Sequence, residues 1–474
     1  MIDRTIIESD IIEINKLIKS KHLSAKEVTQ TCINLAEKCQ PNLNCFISLE
    51  VEDALTQAQN LDKKISKGED IGPLGGIPLA HKDMYYRKGQ ISTCGSKIRK
   101  NWKANTTATV LTKLDQAGFI NMGTLNMAEF ATGATGHNEH WGHCRNPWNN
   151  QYITGGSSSG SGSAVGSRSI FGSLGSDTGG SVRLPATACG VVGLKPTHGL
   201  ISRYGIMPLS YSMDTVGPLT RNVKDNARIT DIIKGYDQKD TTTINRTTDS
   251  YEMQCGLDIK GMRIGVPRNY YFEIASDEIK EKINSVLKIF KGLGVDIIEV
   301  TLPDMHQITH LSNIVFPSEA CAIHANWLRD CRDDYQPQVR TRYEPGLHIP
   351  ANKYLRALDM RPYLLREYIE KGLNNVDVLI LPGMPFEVPK IDETNVAASP
   401  KMAETIASIS WCTRPTNYLG VPSLSVPCGF TSNGLPTAFQ ITGRPFSEGT
   451  LYRFAHTYQE VTTWHKELPN SLSN

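Results

Sequence analysis

Apolar positions recur along this chain at two spacings, and each spacing predicts a different element. Residues 24 to 40 place apolar side chains at helical spacing, and Ser24 precedes Glu27 by three positions, the pattern of a capping box. Residues 107 to 117 have the same helical spacing, after which Gly118 suits a helix C-terminus and FINMG is a strand candidate. We therefore predict two helices, the second of which leads through a glycine into a strand.

The order helix, glycine, strand occurs again over residues 277 to 300, DEIKEKINSVLKIFKGLGVDIIEV. The apolar segment Ile77 to Ala80 predicts a short buried strand that carries His81, Lys82 and Asp83 at its end. Two further strand candidates lie near the C-terminus: VDVLILP (376–382) and PSLSVPCGF (422–430). Strands that alternate with helices favour an α/β architecture whose sheet is covered on both faces.

The polar residues 236 to 256 lack periodicity, and we expect a loop there rather than a domain boundary. Helix and strand signals continue on both sides of this segment. We therefore expect one large domain over residues 1–474.

Composition narrows the function classes. The chain is 39% hydrophobic and 21% charged with a formal net charge of +2, which favours an ordinary globular protein and argues against a nucleic-acid surface. No CxxC pair occurs among the 11 cysteines, so neither a zinc site nor a thioredoxin-like motif is predicted. No run of 18 apolar residues suggests a membrane span. We expect a cytoplasmic protein with reduced thiols.

Residues 153 to 182, ITGGSSSGSGSAVGSRSIFGSLGSDTGGSV, have the composition of a flexible linker. Apolar residues punctuate the segment, however, and it continues into SVRLPATACGVVGLKP, so we predict an ordered structure. Glycine lets backbone approach a ligand closely, and serine supplies small hydroxyls. In Thr178-Gly179-Gly180-Ser181 several N–H groups can converge to form an oxyanion hole.

Three blocks of sequence carry a resemblance to a known family. GGSSSGSGSAVGSRSIFGSLGSDTGGSVRLPATACGVVGLKPTHG resembles the signature of the amidase signature family of serine hydrolases, and GGIPLAHKD resembles its lysine-bearing strand. The C-terminal GVPSLSVPCGF and GLPTAFQITGRPF are also similar to this family. The resemblance implies a single domain with a central mixed, twisted sheet covered by helices on both faces, with a signature core at about 70–225 that residues 257–470 complete.

Carried over by position, the resemblance implies that Ser181 is the acyl-accepting nucleophile. It implies that Ser157, held through a cis peptide bond, relays a proton, and that Lys82 is the base. Lysine acts as a base near neutral pH only if burial or nearby charge lowers its pKa, and the apolar run before Lys82 is consistent with burial. The residues 178 to 181 would hold the oxyanion of an acyl-transfer reaction, and neither a metal nor an organic cofactor is implied.

A competing hypothesis places the nucleophile elsewhere in the same stretch. GSSSG (156–160) fits the Gly-x-Ser-x-Gly elbow of α/β-hydrolases, with Ser158 as nucleophile. The apolar strand that should precede such an elbow is replaced by PWNNQYITG. We therefore favour Ser181.

Asp177 and Arg183 flank the loop, and we expect them to support it by hydrogen bonds or an ion pair, with substrate contact as the alternative. His81 should point to the opposite face of its strand from Lys82. We expect no chemistry from a further set of serines: Ser163, Ser167, Ser169, Ser173 and Ser176.

Three histidines in HNEHWGH, His137, His140 and His143, have a spacing that could suggest a metal. They lack HExxH order and adjoin Trp141, so we expect surface or loop residues that satisfy local hydrogen bonds.

The family includes simple amidases, peptide and fatty acid amide hydrolases, and the glutamine-hydrolysing subunit of tRNA-dependent amidotransferases. In the glutamine-hydrolysing relatives the α-amino group of glutamine binds to an acidic residue, and the position falls here on Ser410; no Asp or Glu occurs between Thr405 and Tyr418. Arg342 falls near the position of the arginine that binds the glutamine carboxylate in the same relatives. We favour an amidase that acts on a small-molecule amide without partner subunits and that could form a homodimer. The alternative is a component of an amidotransferase complex that delivers ammonia to its partner subunits.

Overall fold

The computed structural model describes residues 4–396 and 399–469. Within these residues, eleven strands join into one sheet. They are β1 (Phe46–Leu49), β2 (Pro78–Lys82), β3 (Ile120–Leu125), β4 (Gly172–Asp177), β5 (Val192–Lys195), β6 (Thr215–Thr220), β7 (Arg263–Pro267), β8 (Asp296–Val300), β9 (Val378–Pro382), β10 (Ser423–Phe430) and β11 (Pro436–Thr442).

Helices connect and cover these strands. In the described residues they are α1 (Arg4–Glu8), α2 (Ile11–Lys19), α3 (Ala25–Leu43), α4 (Val51–Ser66), α5 (Thr109–Gln116), α6 (Ser159–Gly166), α7 (Arg183–Cys189), α8 (Val223–Ile233), α9 (Tyr251–Gln254), α10 (Asp277–Gly292), α11 (Met305–Asp330), α12 (Pro337–Tyr343), α13 (Ala351–Tyr368), α14 (Ile391–Thr394), α15 (Lys401–Ile409), α16 (Arg414–Leu419) and α17 (Glu448–Glu460).

The sheet is mixed, as the resemblance implies. Its strand order is β1-β3-β2-β4-β6-β5-β10-β11-β9-β7-β8. β2 lies parallel to both β3 and β4, whereas β4, β6, β5, β10, β11 and β9 follow one another antiparallel. Every residue of β2, β4 and β9 is buried, so both faces of the sheet are covered there. The pairing of β5 with β10 joins the earlier half of the chain to the later half.

The elements predicted from periodicity are present. α3 begins after Ser24, and the Ser24 hydroxyl and the Glu27 carboxylate form the capping box in both directions. Gly118 follows α5 with a φ of +84°, a left-handed conformation that glycine adopts at low cost. β8, β9 and β10 lie within the segments expected to hold strands, and residues 236–256 contain one short helix, α9.

The glycine- and serine-rich stretch is an ordered part of the core. It forms α6 and β4, and every residue of both elements is buried. A Cβ on Gly160 would lie 2.6 Å from the Asn126 nitrogen and still closer to the Cys45 carbonyl oxygen, and one on Gly162 would lie 2.8 Å from the Pro185 Cβ. Small residues are therefore required because other backbone segments pack directly against α6.

Two further findings concern the whole described chain. No helix within residues 4–396 and 399–469 combines the length and apolarity needed to cross a bilayer. The 11 cysteines all fall in these segments, none is in a disulfide, and all but Cys331 are buried.

The close packing of α6 gives a stability prediction. Gly160→Ala should lower the free energy of unfolding by about 1–3 kcal/mol because its methyl group overlaps neighbouring backbone. Gly292→Ala is the matched control: it lies in α10, a Cβ there meets nothing within 4 Å, and alanine favours helix. Urea denaturation followed by circular dichroism measures both; equal midpoints for Gly160→Ala and the wild type would contradict the packing argument.

Candidate active site

A cavity opens where the loop after β4 meets α7, α11, α12 and α16. Ser181, Thr178 and Gly179 of that loop line it, together with Gly156. The Ser181 hydroxyl has no hydrogen-bond partner within residues 4–396 and 399–469, so it is available to a ligand in this cavity.

Lys82 ends β2 and is fully buried. Its Nζ donates hydrogen bonds to Ser157 Oγ at 2.7 Å and to Ser176 Oγ at 2.9 Å, and it forms no ion pair with any residue the structure describes. Burial lowers the pKa of Lys82 to about 7, although the charges of Asp177 and Asp214 act in the opposite direction. The geometry therefore offers an amine that is partly neutral at physiological pH.

Ser157 is buried and follows a cis peptide bond from Gly156, as the resemblance implies. The next residue, Ser158, donates its N–H to the Ser181 carbonyl oxygen at 3.2 Å, which ties the two serine-bearing loops together. Lys82 and Ser157 are thus in contact, with Ser181 on the adjoining loop. A direct hydrogen bond between the Ser157 and Ser181 hydroxyls is absent in the described part of the chain.

The amides of the loop divide into two groups. The N–H of Gly180 donates to Asp177 Oδ1 at 2.7 Å, and Gly180 does not line the cavity. Its expected place in the oxyanion hole is therefore wrong for this conformation. The N–H groups of Thr178, Gly179 and Ser181 have no acceptor among the described residues, and all three residues line the cavity.

Asp177 and Arg183 form a fully buried ion pair behind the loop, with 3.1 Å between Arg183 Nη2 and Asp177 Oδ1. Arg183 also donates to Gln440 Oε1 at 2.8 Å and to Asn417 Oδ1 at 2.7 Å. Burial opposes ionisation of Asp177, but the Arg183 guanidinium holds the pKa of the carboxyl well below its usual value. Neither side chain lines the cavity, so the geometry favours support of the loop over substrate contact.

Two further serines, Ser158 and Ser176, lie outside the cavity lining. Ser158, the α/β-hydrolase candidate, is buried, and its hydroxyl donates to the Ser176 carbonyl oxygen at 3.2 Å, away from the cavity. Ser176, from which we expected no chemistry, accepts the second hydrogen bond of Lys82 and donates to Met84 Sδ at 3.1 Å. The only signal for Ser176 in the sequence is its position one residue before Asp177.

The three histidines make local hydrogen bonds. His137 Nε2 lies 3.0 Å from Thr394 Oγ1, His140 Nε2 lies 3.0 Å from Glu129 Oε1, and His143 Nδ1 accepts the Asn138 N–H at 3.0 Å. His137 is buried, and all three histidines lie in a segment without helix or strand.

His81 is buried and contacts the Lys82 carbonyl oxygen through Nδ1 at 3.3 Å. It does not line the cavity. No group of three or more His, Cys, Asp or Glu residues within the described segments has the arrangement of a metal site.

Two arginines also line the cavity. Arg342 of α12 and Arg414 of α16 both line it, as does Ser410. Arg414 donates to Asn313 Oδ1 at 2.5 Å and to Ser410 Oγ at 2.8 Å. Sequence reasoning identified Arg342 and Ser410 but missed Arg414, four positions after Ser410 in the same segment.

Comparisons with known proteins identify the family of this chain. The amidase family model matches residues 27–452. A glutamyl-tRNA(Gln) amidotransferase subunit from Thermosynechococcus vestitus is 36% identical, with 97% of this chain and 99% of that protein covered.

Two solved structures are also similar. One, from work on an unexpected vestigial protein complex that reveals the evolutionary origins of an s-triazine catabolic enzyme, is 30% identical with a TM-score of 0.89, covering 95% of this chain and 98% of the other. The second, of an amidase, is 29% identical with a TM-score of 0.83, covering 95% and 99%. With a family match over most of its length, this chain belongs to the amidase family of hydrolases that act on carbon–nitrogen bonds.

Proposed function

We propose that the chain hydrolyses a small amide through an acyl-enzyme, with Ser181 as nucleophile, Ser157 as proton relay and Lys82 as base. One observation carries the proposal: Lys82 is buried without a carboxylate partner and contacts Ser157 next to the loop that presents the free Ser181 hydroxyl. Such a lysine has the lowered pKa that general-base catalysis requires.

The reaction begins with neutral Lys82. In this form the amine donates to Ser176 Oγ and accepts the Ser157 hydroxyl hydrogen with its lone pair, since both oxygens lie at hydrogen-bond distance. Lys82 takes the Ser157 proton while Ser157 takes that of Ser181, and the Ser181 oxygen bonds to the amide carbon. The amides of Gly179 and Ser181 stabilise the oxyanion. The relayed proton then returns to the leaving nitrogen as the carbon–nitrogen bond breaks.

In the second half, water attacks the ester on Ser181 and gives its proton to the same relay. The carbon–oxygen bond to Ser181 breaks, the acid leaves, and the proton returns to Ser181. Asp177 and Arg183 act through the loop that they position. These steps use only groups of this chain, water and the substrate.

A cytoplasmic location stays a prediction from sequence.

A second candidate is the glutamine-hydrolysing component of an amidotransferase. The relatives named as glutamyl-tRNA(Gln) amidotransferase subunits, 34–36% identical over nearly the whole chain, support this candidate more directly than an enzyme acting alone. The absence of an acidic residue in the cavity lining, within the described segments, favours an amide other than glutamine.

Assays with and without partner subunits separate the two candidates. We expect the purified chain to hydrolyse small amides by itself. Glutamine hydrolysis that appears only after amidotransferase subunits from the same organism are added would instead establish the second candidate.

Replacing the nucleophile tests the chemistry. Ser181→Ala should lower kcat by about 10³-fold or more, because it removes the hydroxyl that attacks the amide carbon, while the circular dichroism spectrum stays unchanged. Ser163→Ala is the matched control, since its hydroxyl only donates to the Arg145 carbonyl oxygen at 2.8 Å. A serine-directed phosphonate should add its mass to the peptide with Ser181; addition at Ser158 would contradict the proposal.

The pH profile tests the base. Because the amine must be neutral, kcat/KM should rise with pH and level off above about 7, falling about tenfold per pH unit well below that value. The negative charges of Asp177 and Asp214 raise the pKa of Lys82 against the larger effect of burial, which lowers it. Asp214→Asn should therefore move the midpoint to lower pH.

Asp333→Asn is the control for this shift, because Asp333 is exposed and pairs with Arg340 far from Lys82. Its profile should match that of the wild type. A flat wild-type profile across this range, or an upward shift for Asp214→Asn, would contradict the role of Lys82.

A further inference from the structure

The cavity beside Ser181 has an unbalanced charge. Its lining contains two arginines, Arg342 and Arg414, and no Asp, Glu, Lys or His from the described part of the chain. The other lining side chains are apolar or neutral. An empty cavity of this composition has a formal charge of about +2 at neutral pH.

Neither guanidinium is neutralised. Arg342 lies over the Phe316 ring, 4.8 Å from its centroid, and makes no ion pair or hydrogen bond with any described residue. Arg414 donates only to the neutral oxygens of Asn313 and Ser410. The buried Arg183, by contrast, is paired with Asp177.

The two charges also oppose each other. Burial, and to a smaller extent the positive charge of Arg414, lower the pKa of Arg342 to about 10. An anion bound between the two groups would remove this repulsion. Guanidinium groups bind carboxylates through charge-assisted, often bidentate hydrogen bonds, so a carboxylate is the anion that this wall fits best.

A substrate ammonium group would have no acceptor of opposite charge here. The Ser410 hydroxyl, which faces the same wall, donates to the Ile406 carbonyl oxygen at 2.6 Å and accepts from Arg414. Its hydrogen-bonding capacity is therefore largely used. An ammonium group would instead meet two like charges, a mismatch that lowers affinity.

We propose that the substrate is a small amide that bears a carboxylate and no ammonium group, and that Arg414 binds this carboxylate together with Arg342. This inference rests on the proposed hydrolysis at Ser181, which lines the same cavity. Arg414 is thereby assigned a role in substrate specificity.

Three primary amides of matched length test the assignment. Glutaramate carries the carboxylate, pentanamide lacks it, and glutamine adds an ammonium group to glutaramate. We expect kcat/KM for glutaramate to exceed that for pentanamide by about 100-fold and that for glutamine by at least about tenfold. Equal values for glutaramate and pentanamide, or a preference for glutamine, would overturn the inference.

Substitution of Arg414 locates the effect. Arg414→Gln should reduce the ratio of the glutaramate and pentanamide kcat/KM values by about 30-fold or more, mainly through the KM for glutaramate, and Arg414→Lys should restore part of it. Arg340→Gln is the control: Arg340 lies on α12 with Arg342, but it pairs with Asp333 and does not line the cavity. A ratio unchanged in Arg414→Gln would overturn the assignment.

A binding measurement separates this inference from the proposed chemistry. Calorimetry with Ser181→Ala should detect glutaramate binding that weakens at least about tenfold in Ser181→Ala/Arg414→Gln. Binding without turnover in the wild type would defeat the proposed hydrolysis and leave the carboxylate site intact. If glutaramate is hydrolysed only when Ser181 is present, but its binding does not depend on Arg414, the carboxylate site is wrong and the proposed hydrolysis stands.

Discussion

The buried ion pair between Asp177 and Arg183 is the interaction on which the site depends. Both side chains are fully buried, and removing one member of such a pair typically costs about 3–5 kcal/mol because the other charge is left without a partner. Asp177 also accepts the N–H groups of Gly180 and Val182, so the pair fixes the loop between them. Ser181 belongs to that loop, and its position follows from an ion pair that never meets the ligand.

The cationic side chains at the site and behind it differ in their hydrogen-bond and ion-pair partners, and these partners determine which of them favour the charged form. Arg183 faces a carboxylate and serves the framework. Lys82 faces only hydroxyl groups at hydrogen-bond distance, so burial disfavours its charge. Arg342 and Arg414 line the cavity without a carboxylate from the described residues and keep their charge for a ligand. The proposed general base and the proposed carboxylate site therefore differ in the partners of their cationic groups.

Membership of the amidase family accounts for the fold and the class of reaction, but not for the amide. Proteins of one fold share their acylating groups while the cavity wall varies, and specificity is argued from that wall. The relatives named as amidotransferase subunits share about a third of their residues with this chain. Ser410 occupies the position that the resemblance assigns to an acidic residue, and the neighbouring Arg414, which donates to the Ser410 hydroxyl, carries a positive charge.

Local sequence pattern determined the elements. The capping box before α3, the glycine after α5 and the apolar segment that became β2 each depend on residues close together in the chain, so periodicity was enough to predict them. The resemblance supplied Lys82, Ser157 and Ser181 as candidates.

Only the tertiary structure decided which groups meet. Ser176 contacts Lys82 across 94 positions of sequence because β2 and β4 lie parallel in one register. The direction of the Gly180 N–H, and the convergence of Arg342 with Arg414, depend on how loops and helices pack. Amino-acid order alone therefore determined the periodic elements and the candidate chemistry, whereas contacts between distant segments arose from packing, which short-range patterns do not encode.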